Sequence, residues 1–274
     1  MTRTWLVTGA SRGIGRLLTE ELLARGDRVA ATVRDRAGMA DLVAIHGDLL
    51  WVTTLDVSDA PRVRIAVDEA FAAMGRVDVV VSNAGYGIYA AAEEISDAQL
   101  LHIVATNLIG SMQVARAALP HLRQQGGGHL VQMSSMAGHF AKPGFAAYHA
   151  TKWGIEGFYE ALAAEVAPFG VTTTVVAPGR FPTSFYDAAQ RPDPHPAYAD
   201  QAQLQRAQAD PDDMPGDPHR LVELIISLGG TEQPPRRLLL GSDAYAMAHE
   251  SLHRRLQELE EQEQVAYSTD RVRT

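Results

Sequence analysis

The chain has no cysteine. That absence removes disulfides, thiolate nucleophiles and cysteine-ligated zinc or iron–sulfur centres. Lysine is nearly missing as well: of 24 Lys+Arg residues only Lys142 and Lys152 are lysines. Arginine is the habitual cation, so a lysine inside a motif is less easily an accident. Positive charge is in deficit overall. The formal net charge of −9 argues against nucleic acid as a partner, which a basic surface would bind. No apolar run approaches the roughly 20 residues that a membrane span needs. Met1-Thr2-Arg3-Thr4-Trp5 contains no long apolar signal stretch before a glycine loop begins. A cytoplasmic protein with neither a membrane nor a nucleic-acid partner is therefore expected. His249 and His253 stand at i, i+4, but no carboxylate or third histidine is placed to complete a metal site. A solvated helix face is the expectation there, and no metal.

What is present is a long alternation of apolar strands and helical patterns. The chain is 274 residues long and 46% hydrophobic, enough for one sizeable core. Strand-like runs rich in Val, Leu and Thr cover residues 5–8, 29–33, 50–55, 77–82, 129–134, 171–177 and 237–240. They are nearly continuous in apolar character, as strands covered on both faces are. Helical patterns cover 14–25, 61–74, 97–124, 146–169 and 218–228. The order predicts an α/β fold: a doubly wound, Rossmann-like, seven-stranded parallel sheet with helices on both faces, in a single domain. Ligands are expected at the carboxyl ends of the strands.

One segment breaks the alternation. Residues 181–218 carry Pro182, Pro192, Pro194, Pro196, Pro211, Pro215 and Pro218 with many Asp and Gln, and residues 196–208 suit a short helix. So long an insertion is a functional lid or a disordered surface segment. Beyond residue 242, Tyr245, Ala248, Leu252, Leu256 and Leu259 mark one face of a charged helix. Residues 243–274 are read as that helix, packed on the same domain, with a frayed tail.

The first strand runs into Thr8-Gly9-Ala10-Ser11-Arg12-Gly13-Ile14-Gly15. Glycines let the backbone turn tightly and approach a pyrophosphate, while the next helix aims its free N–H groups and positive dipole end at the phosphates. Strand, glycine loop and helix stand in the order a dinucleotide site requires. The spacing T-G-x-x-x-G-x-G resembles the compact, single-domain branch of the short-chain dehydrogenase/reductase family. Asp56-Val57 after the third strand, Asn83-Ala84-Gly85 after the fourth, and Pro178-Gly179 with Thr183 after the sixth follow in the order of that family. The resemblance implies that Asp56 contacts adenine and Thr183 the nicotinamide carboxamide. It makes residues 1–242 one cofactor-binding catalytic domain. Its specific motifs cover residues 4–183.

The end of the second strand bears on cofactor choice. An acid there binds both ribose hydroxyls of NAD; here the position holds Val33, followed by Arg34. A guanidinium can grip a 2′-phosphate that a carboxylate would repel. Arg12 in the glycine loop is the second cation of this kind. NADP(H) is expected, although Asp35 would become the NAD-type acid if the alignment slipped by one residue.

Tyr148 and Lys152 form Y-x-x-x-K within a helical pattern, and i, i+4 spacing puts both on one helix face. A hydride moving to a carbonyl needs a proton for the oxygen. A tyrosine of pKa about 10 becomes useful once a neighbouring ammonium and an oxidised nicotinamide favour phenolate. Ser135 stands 13 residues before Tyr148, the separation of the resembling family. There its hydroxyl would steady the developing alkoxide, with Ser134 a backbone partner at the strand end. Asn107 matches the family's helix-embedded Asn, which through water supports a proton path to the lysine. Tyr86, His139, Phe140, Phe185 and Tyr186 are expected to line the substrate. The helix at 146–169 is apolar on most sides through Trp153, Ile155, Phe158, Tyr159 and Leu162, which with the resemblance implies a homodimer or homotetramer.

The reading is an NADP(H)-dependent oxidoreductase moving a hydride between nicotinamide and a small-molecule carbonyl or alcohol carbon, a ketone or aldehyde reductase for an apolar substrate. Alcohol oxidation or imine reduction on the same fold remains open. So do a nucleotide-sugar epimerase and a catalytically silent NADP-binding regulator.

Overall fold

The structure is a computed structural model that describes residues 2–198, 200–201 and 210–271. Seven strands form it: β1 (Thr4–Thr8), β2 (Arg28–Val33), β3 (Leu50–Thr54), β4 (Val79–Ser82), β5 (Gly128–Met133), β6 (Val171–Pro178) and β7 (Arg237–Leu240). All pairings are parallel, in the order β3-β2-β1-β4-β5-β6-β7. The sheet changes winding direction between β1 and β4, where Trp5, Leu6 and Val7 face Val79, Val80 and Val81. A crevice opens at such a switch point because the flanking crossovers leave in opposite directions.

Side chains alternate along each strand, so each strand feeds two cores. Trp5 and Val7 join Val29, Ala31, Val79 and Val81 beneath α1 (Gly13–Ala24), α2 (Ala40–His46) and a later helix on the same face, residues 218–228. Leu6 joins Ala30, Val80 and Leu130 on the other side. There α3 (Ala60–Met74) contributes Val63 and Val67. Each fully buried aliphatic side chain stabilises by about 1.5–3 kcal/mol. The helices therefore lock to the sheet through their apolar faces rather than through propensity alone.

The expected helix over 97–124 is continuous in path but not in type. It comprises α4 (Asp97–Ile103), a π-helical segment Val104–Gly110, and α5 (Ser111–Gln124). Ser96 and Gln99 close its start with a capping box. In the π segment Gly110 packs against the backbone of Val57, where a Cβ would sit 2.7 Å from the Val57 carbonyl oxygen. The expected helix at 146–169 ends earlier, as α6 (Ala146–Val166) followed by a 3₁₀ turn Ala167–Phe169. The helix at 218–228 is α7 (Pro218–Leu228), capped by the Asp217 carboxylate.

The structure departs from the sequence pattern at two helices. The helix α2 between β2 and β3 is not anticipated by the sequence pattern; it is seven residues long and buries only Leu42. The helix after β7, α8 (Ser242–Glu260), buries Ala244, Ala248 and Ser251. Of the expected apolar face only Ala248 turns inward, while Tyr245, Leu252, Leu256 and Leu259 stay exposed. Small residues let the helix lie close, and the larger ones point away. A short α9 (Glu263–Tyr267) follows. The expected helix at 196–208 lies mostly outside the described residues; its start is a single 3₁₀ turn, Pro196–Tyr198.

The two strands at the switch point are joined at their ends by one hydroxyl. Thr8 Oγ1 accepts from the backbone N–H groups of Asn83 (2.9 Å) and Ala84 (3.1 Å). Asn83 Nδ2 donates back to the Thr8 carbonyl at 2.9 Å. Thr8→Val keeps the shape and strands two amide donors. Leaving a buried donor unpaired costs about 1–3 kcal/mol. Urea unfolding of Thr8→Val is expected to show a loss of that order at unchanged m-value.

Candidate active site

The switch-point crevice is a cleft of about 340 Å³ lined by Gly9, Ser11, Arg12, Gly13, Ile14, Val33, Arg34, Asp56, Val57, Asn83, Ala84 and Gly85, among others. Every residue that the sequence assigned to the adenine, ribose and pyrophosphate portion of a cofactor lines it except Gly15, which supports it from behind. At Gly15 a Cβ would run into the Gly9 carbonyl and the Asn83 amide, so only glycine lets α1 approach the loop so closely. Gly9 has φ +69°, a left-handed backbone that favours glycine. Arg12 begins α1 in extended conformation without a side-chain cap, and no acid occupies the first turn. The helix N-terminus is thus left with uncapped donors facing the cleft, a fit for a phosphate group.

β2 ends at Val33, which is buried, and Arg34 follows as an exposed side chain on the cleft. Asp35 is turned elsewhere: its carboxylate accepts from the Ala37 N–H at 2.9 Å and caps the 3₁₀ turn Arg36–Met39. Asp56 is held by the turn that follows it, accepting from the Ser58 amide (2.9 Å) and hydroxyl (2.7 Å). Burial raises its pKa, but these bonds, with His102 and Arg34, outweigh burial and hold the carboxyl below its usual range.

The cleft continues into a smaller pocket of about 140 Å³. The two share Ile14, Asn83, Gly85, Tyr86, Thr183 and Phe185. Ser135, Tyr148, Lys152, Pro178 and Gly179 all line this second part. β5 delivers Ser135 just past its end, and α6 delivers Tyr148 and Lys152 from one face. Ser135 Oγ accepts from the Ala137 N–H at 3.1 Å. Ser134, as expected, serves the strand end through its N–H to the Val176 carbonyl at 2.7 Å.

The electrostatics of the pair follow from burial. Tyr148 is 5% exposed. Burial pushes its phenol above the usual tyrosine pKa, a hydrogen bond with Ser135 opposes that, and the nearby Tyr186 and Tyr89 add to it. Lys152 is equally buried. Its ammonium donates to the Met133 carbonyl at 2.9 Å and lies 5.6 Å from the centre of the Tyr148 ring. Burial lowers its pKa to about 8, with Glu156 one helical turn further along pulling it back up. The phenol is thus a proton donor by default, and the ammonium is an acid titrating near neutrality.

Asn107 is 1% exposed and its side chain is spent on the backbone of Tyr86. Oδ1 accepts from the Tyr86 N–H at 3.0 Å, and Nδ2 donates to the Tyr86 carbonyl at 2.8 Å and to Thr151 Oγ1 at 3.4 Å. Its observed work is to pin the 83–86 loop between the two parts of the cleft, from inside the π-helical segment. Helices often widen in this way at functional sites.

Of the substrate-lining candidates, Tyr86, Phe140, Phe185 and Tyr186 line the second pocket. His139 does not. It turns away toward the buried Glu156, with Nε2 3.5 Å from the carboxylate. Sequence reasoning missed Tyr89 and Phe145, which stack at 4.3 Å, and Phe145 stacks on Tyr148 at 4.4 Å. Phe145 precedes α6 by one residue, and no periodicity in the sequence marks which way it turns.

Residues 183–190, the start of the proline-rich segment, border this region. The Gln190 N–H donates to the Gly87 carbonyl and the Tyr89 N–H to the Gln190 carbonyl, both at 2.9 Å, forming a short bridge at the wall of the larger cleft. Ser184, Ala188 and Gln190 line the larger cleft. The Gly216 N–H returns to the Arg180 carbonyl at 3.2 Å, closing the base of the loop. Among the described residues no three metal-ligating side chains cluster, and no helix is long and apolar enough to cross a membrane.

Residues 3–193 match the family model described as short chain dehydrogenase. The chain is 36% identical over 255 residues to "Oxidoreductase BOA17" of Botryotinia fuckeliana, covering 90% of this chain and 92% of that protein. It is 31% identical over 245 residues to the uncharacterized oxidoreductase C162.03 of Schizosaccharomyces pombe, covering 88% and 82% of the two chains. A solved short-chain dehydrogenase from Streptomyces avermitilis is 38% identical and superposes with a TM-score of 0.91 over 99% of this chain and 100% of its own. The chain belongs to the short-chain dehydrogenase family and is an oxidoreductase of that family.

Proposed function

We propose that this protein is an NADPH-dependent reductase of a ketone or aldehyde. The observation that carries the reading is convergence: Ser135, Tyr148 and Lys152 face one pocket, and that pocket opens into the cleft of Arg12, Arg34 and the uncapped N-terminus of α1. Bound NADPH supplies the hydride. Arg12 and Arg34 take the 2′-phosphate, and the α1 terminus with the glycine loop takes the pyrophosphate. Thr183, Pro178 and Gly179 border the nicotinamide end. Asp35, spent on its own turn, supports NADP over NAD.

The protein's own chemistry is proton delivery and alkoxide stabilisation. Ser135 donates to the carbonyl oxygen as negative charge develops there. Tyr148 gives that oxygen its proton. Lys152 keeps a positive charge beside the phenol, making it more acidic at the moment of transfer and holding the ribose end of the cofactor. Asn107 acts through position, keeping Tyr86 and the 83–85 loop in register with α6. Burial favours the protonated form of Tyr148 in the free protein, the form that carbonyl reduction consumes. The bridge through Gln190 excludes water from the cleft. The small exposed residues of α6, Gly157, Ala161 and Ala164, are the surface for a homodimer or homotetramer. Trp153, which the sequence also offered to a partner, is covered instead by Arg255 of α8 at 4.0 Å.

Two measurements test this reading. The first is cofactor preference. The protein is expected to use NADPH with a kcat/KM at least tenfold that for NADH, and Arg34→Ala with Arg12→Ala to erase the difference. Equal values in the unmodified protein would contradict the assignment of the two arginines. The second is the proton. Tyr148→Phe is expected to lose far more than tenfold in kcat, beyond 1.4 kcal/mol of barrier, while NADPH binding by fluorescence stays near wild type. In the wild type, kcat/KM for carbonyl reduction is expected to be level at lower pH and to fall as pH rises through about 8, where Lys152 loses its proton. A Tyr148→Phe variant keeping more than a tenth of kcat assigns the proton to another residue.

A further inference from the structure

The two lysines of this chain stand on the same pocket. Lys152 is accounted for by Tyr148 and the Met133 carbonyl. Lys142 is not. It lies in the loop between Ser135 and α6 and lines the same 140 Å³ space, as does Arg180, which directly follows Pro178-Gly179. Among the described residues no Asp or Glu lines that pocket. Three cations and the phenols of Tyr89, Tyr148 and Tyr186 therefore face it with no carboxylate among them.

We propose that Lys142 and Arg180 form an anion subsite, and that the substrate is an aryl or similarly flat apolar carbonyl compound carrying a carboxylate. This rests on the reductase reading above and narrows its substrate class.

The geometry supports the subsite from both cations. The Lys142 ammonium sits 5.8 Å from the centre of the Phe145 ring, whose neighbour in the stack is Tyr148 at 4.4 Å. The cation is thus one aromatic ring away from the phenol that meets the carbonyl. The Lys142 loop is fixed: its N–H donates to His149 Nε2 at 3.1 Å, and the Gly144 carbonyl accepts from the Ala90 N–H at 2.9 Å. Among the described residues the Lys142 ammonium pairs with no carboxylate. Arg180 is anchored from behind, through its N–H (2.9 Å) and Nε (3.4 Å) to Asp243, which does not line the pocket. Its two terminal amino groups donate to nothing among the described residues and remain available for a bidentate contact. Lys142 and Arg180 are both exposed residues at the rim; partial desolvation, and then the charge of Arg180, hold Lys142 below the ordinary lysine pKa. The Asp243 carboxylate offsets the charge of Arg180 only from behind, so an anion between the two cations would relieve their remaining mutual repulsion.

The aromatic walls set the rest of the ligand. Phe145, Tyr89 and Phe185 offer flat faces beside Tyr148. A flat apolar body fills that slot with its carbonyl at Tyr148 and its charge at the rim.

The test uses matched pairs: benzoylformate and 3-benzoylpropionate, each against its methyl ester, with NADPH. At least one acid is expected to exceed its ester tenfold or more in kcat/KM, through KM, and high salt is expected to shrink the gap. Lys142→Gln and Arg180→Gln are each expected to pull the acid-to-ester ratio toward one. A turnover-free arm titrates the NADPH-loaded protein calorimetrically with 3-phenylpropionate and with 3-phenylpropanamide. The carboxylate is expected to bind at least tenfold tighter, and Lys142→Gln to abolish the difference. Ratios near one in the wild type, or variants that weaken acid and ester equally, overturn the subsite. If neutral ketones are reduced but carboxylates gain nothing, the subsite falls and the reductase reading stands. If no carbonyl compound is reduced but the Lys142-dependent carboxylate preference holds, the reductase reading falls and the subsite stands.

Discussion

The backbone amides of Asn83 and Ala84 share one acceptor, the Thr8 hydroxyl, and the rest of the site is hung from that joint. It ties the loop after β1 to the loop after β4, where the sheet reverses its winding. From there one hydrogen-bonded path crosses the protein. The Asn83 side chain returns to the carbonyls of Thr8 and Gly9. Tyr86, three residues on, is held at both N–H and carbonyl by Asn107. Asn107 reaches Thr151, and Thr151 donates to the Tyr148 carbonyl at 2.7 Å. The glycine loop that would hold phosphates and the helix that carries Tyr148 and Lys152 are therefore parts of one rigid connection. Chemistry between two ends of a cleft needs that, since misplacement by about 1 Å can cost two orders of magnitude in rate.

Burial is the second constraint, and it acts in opposite senses on the two side chains. Taking a phenol out of water favours its neutral form; taking an ammonium out of water also favours its neutral form. Tyr148 is thereby made a firmer holder of its proton, and Lys152 a weaker one. The Met133 carbonyl and Glu156 partly restore the lysine's charge. In the proposed mechanism a pair tuned in this way would keep the proton on the phenol until a polarised carbonyl oxygen arrives to take it.

The seven-stranded parallel sheet, the glycine loop and the Tyr148–Lys152 pair were legible in the sequence because each rests on local chemistry: near-continuous apolar strands, glycines where the backbone turns or crosses, and i, i+4 spacing on one face. Ser135 was found by spacing within a family pattern. The π-helical segment was not legible. It coincides with a close approach of Gly110 to the Val57 backbone, a contact between residues far apart in the chain that no local pattern marks. His139 was misassigned for a similar reason, since the pull of a buried carboxylate at Glu156 has no sequence signature. The inward face of α8 was misread because small residues, Ala244 and Ala248, bury where a hydrophobic count favours leucines. Phe145 and Tyr89 were missed because aromatic stacking across a pocket is set by tertiary packing alone.

In the proposed mechanism the cleft of Arg12 and Arg34 and the pocket of Tyr148 are one site for one hydride transfer. The most direct measurement is isotopic: a single turnover with NADPH deuterated at the transferring position of nicotinamide C4 and an aryl ketone acceptor, followed by mass and NMR analysis of the alcohol. The account predicts one deuterium on the carbinol carbon, none lost to solvent, and no labelled product with Tyr148→Phe. Cofactor oxidised without deuterium in the alcohol, or label delivered equally well by Tyr148→Phe, would contradict it.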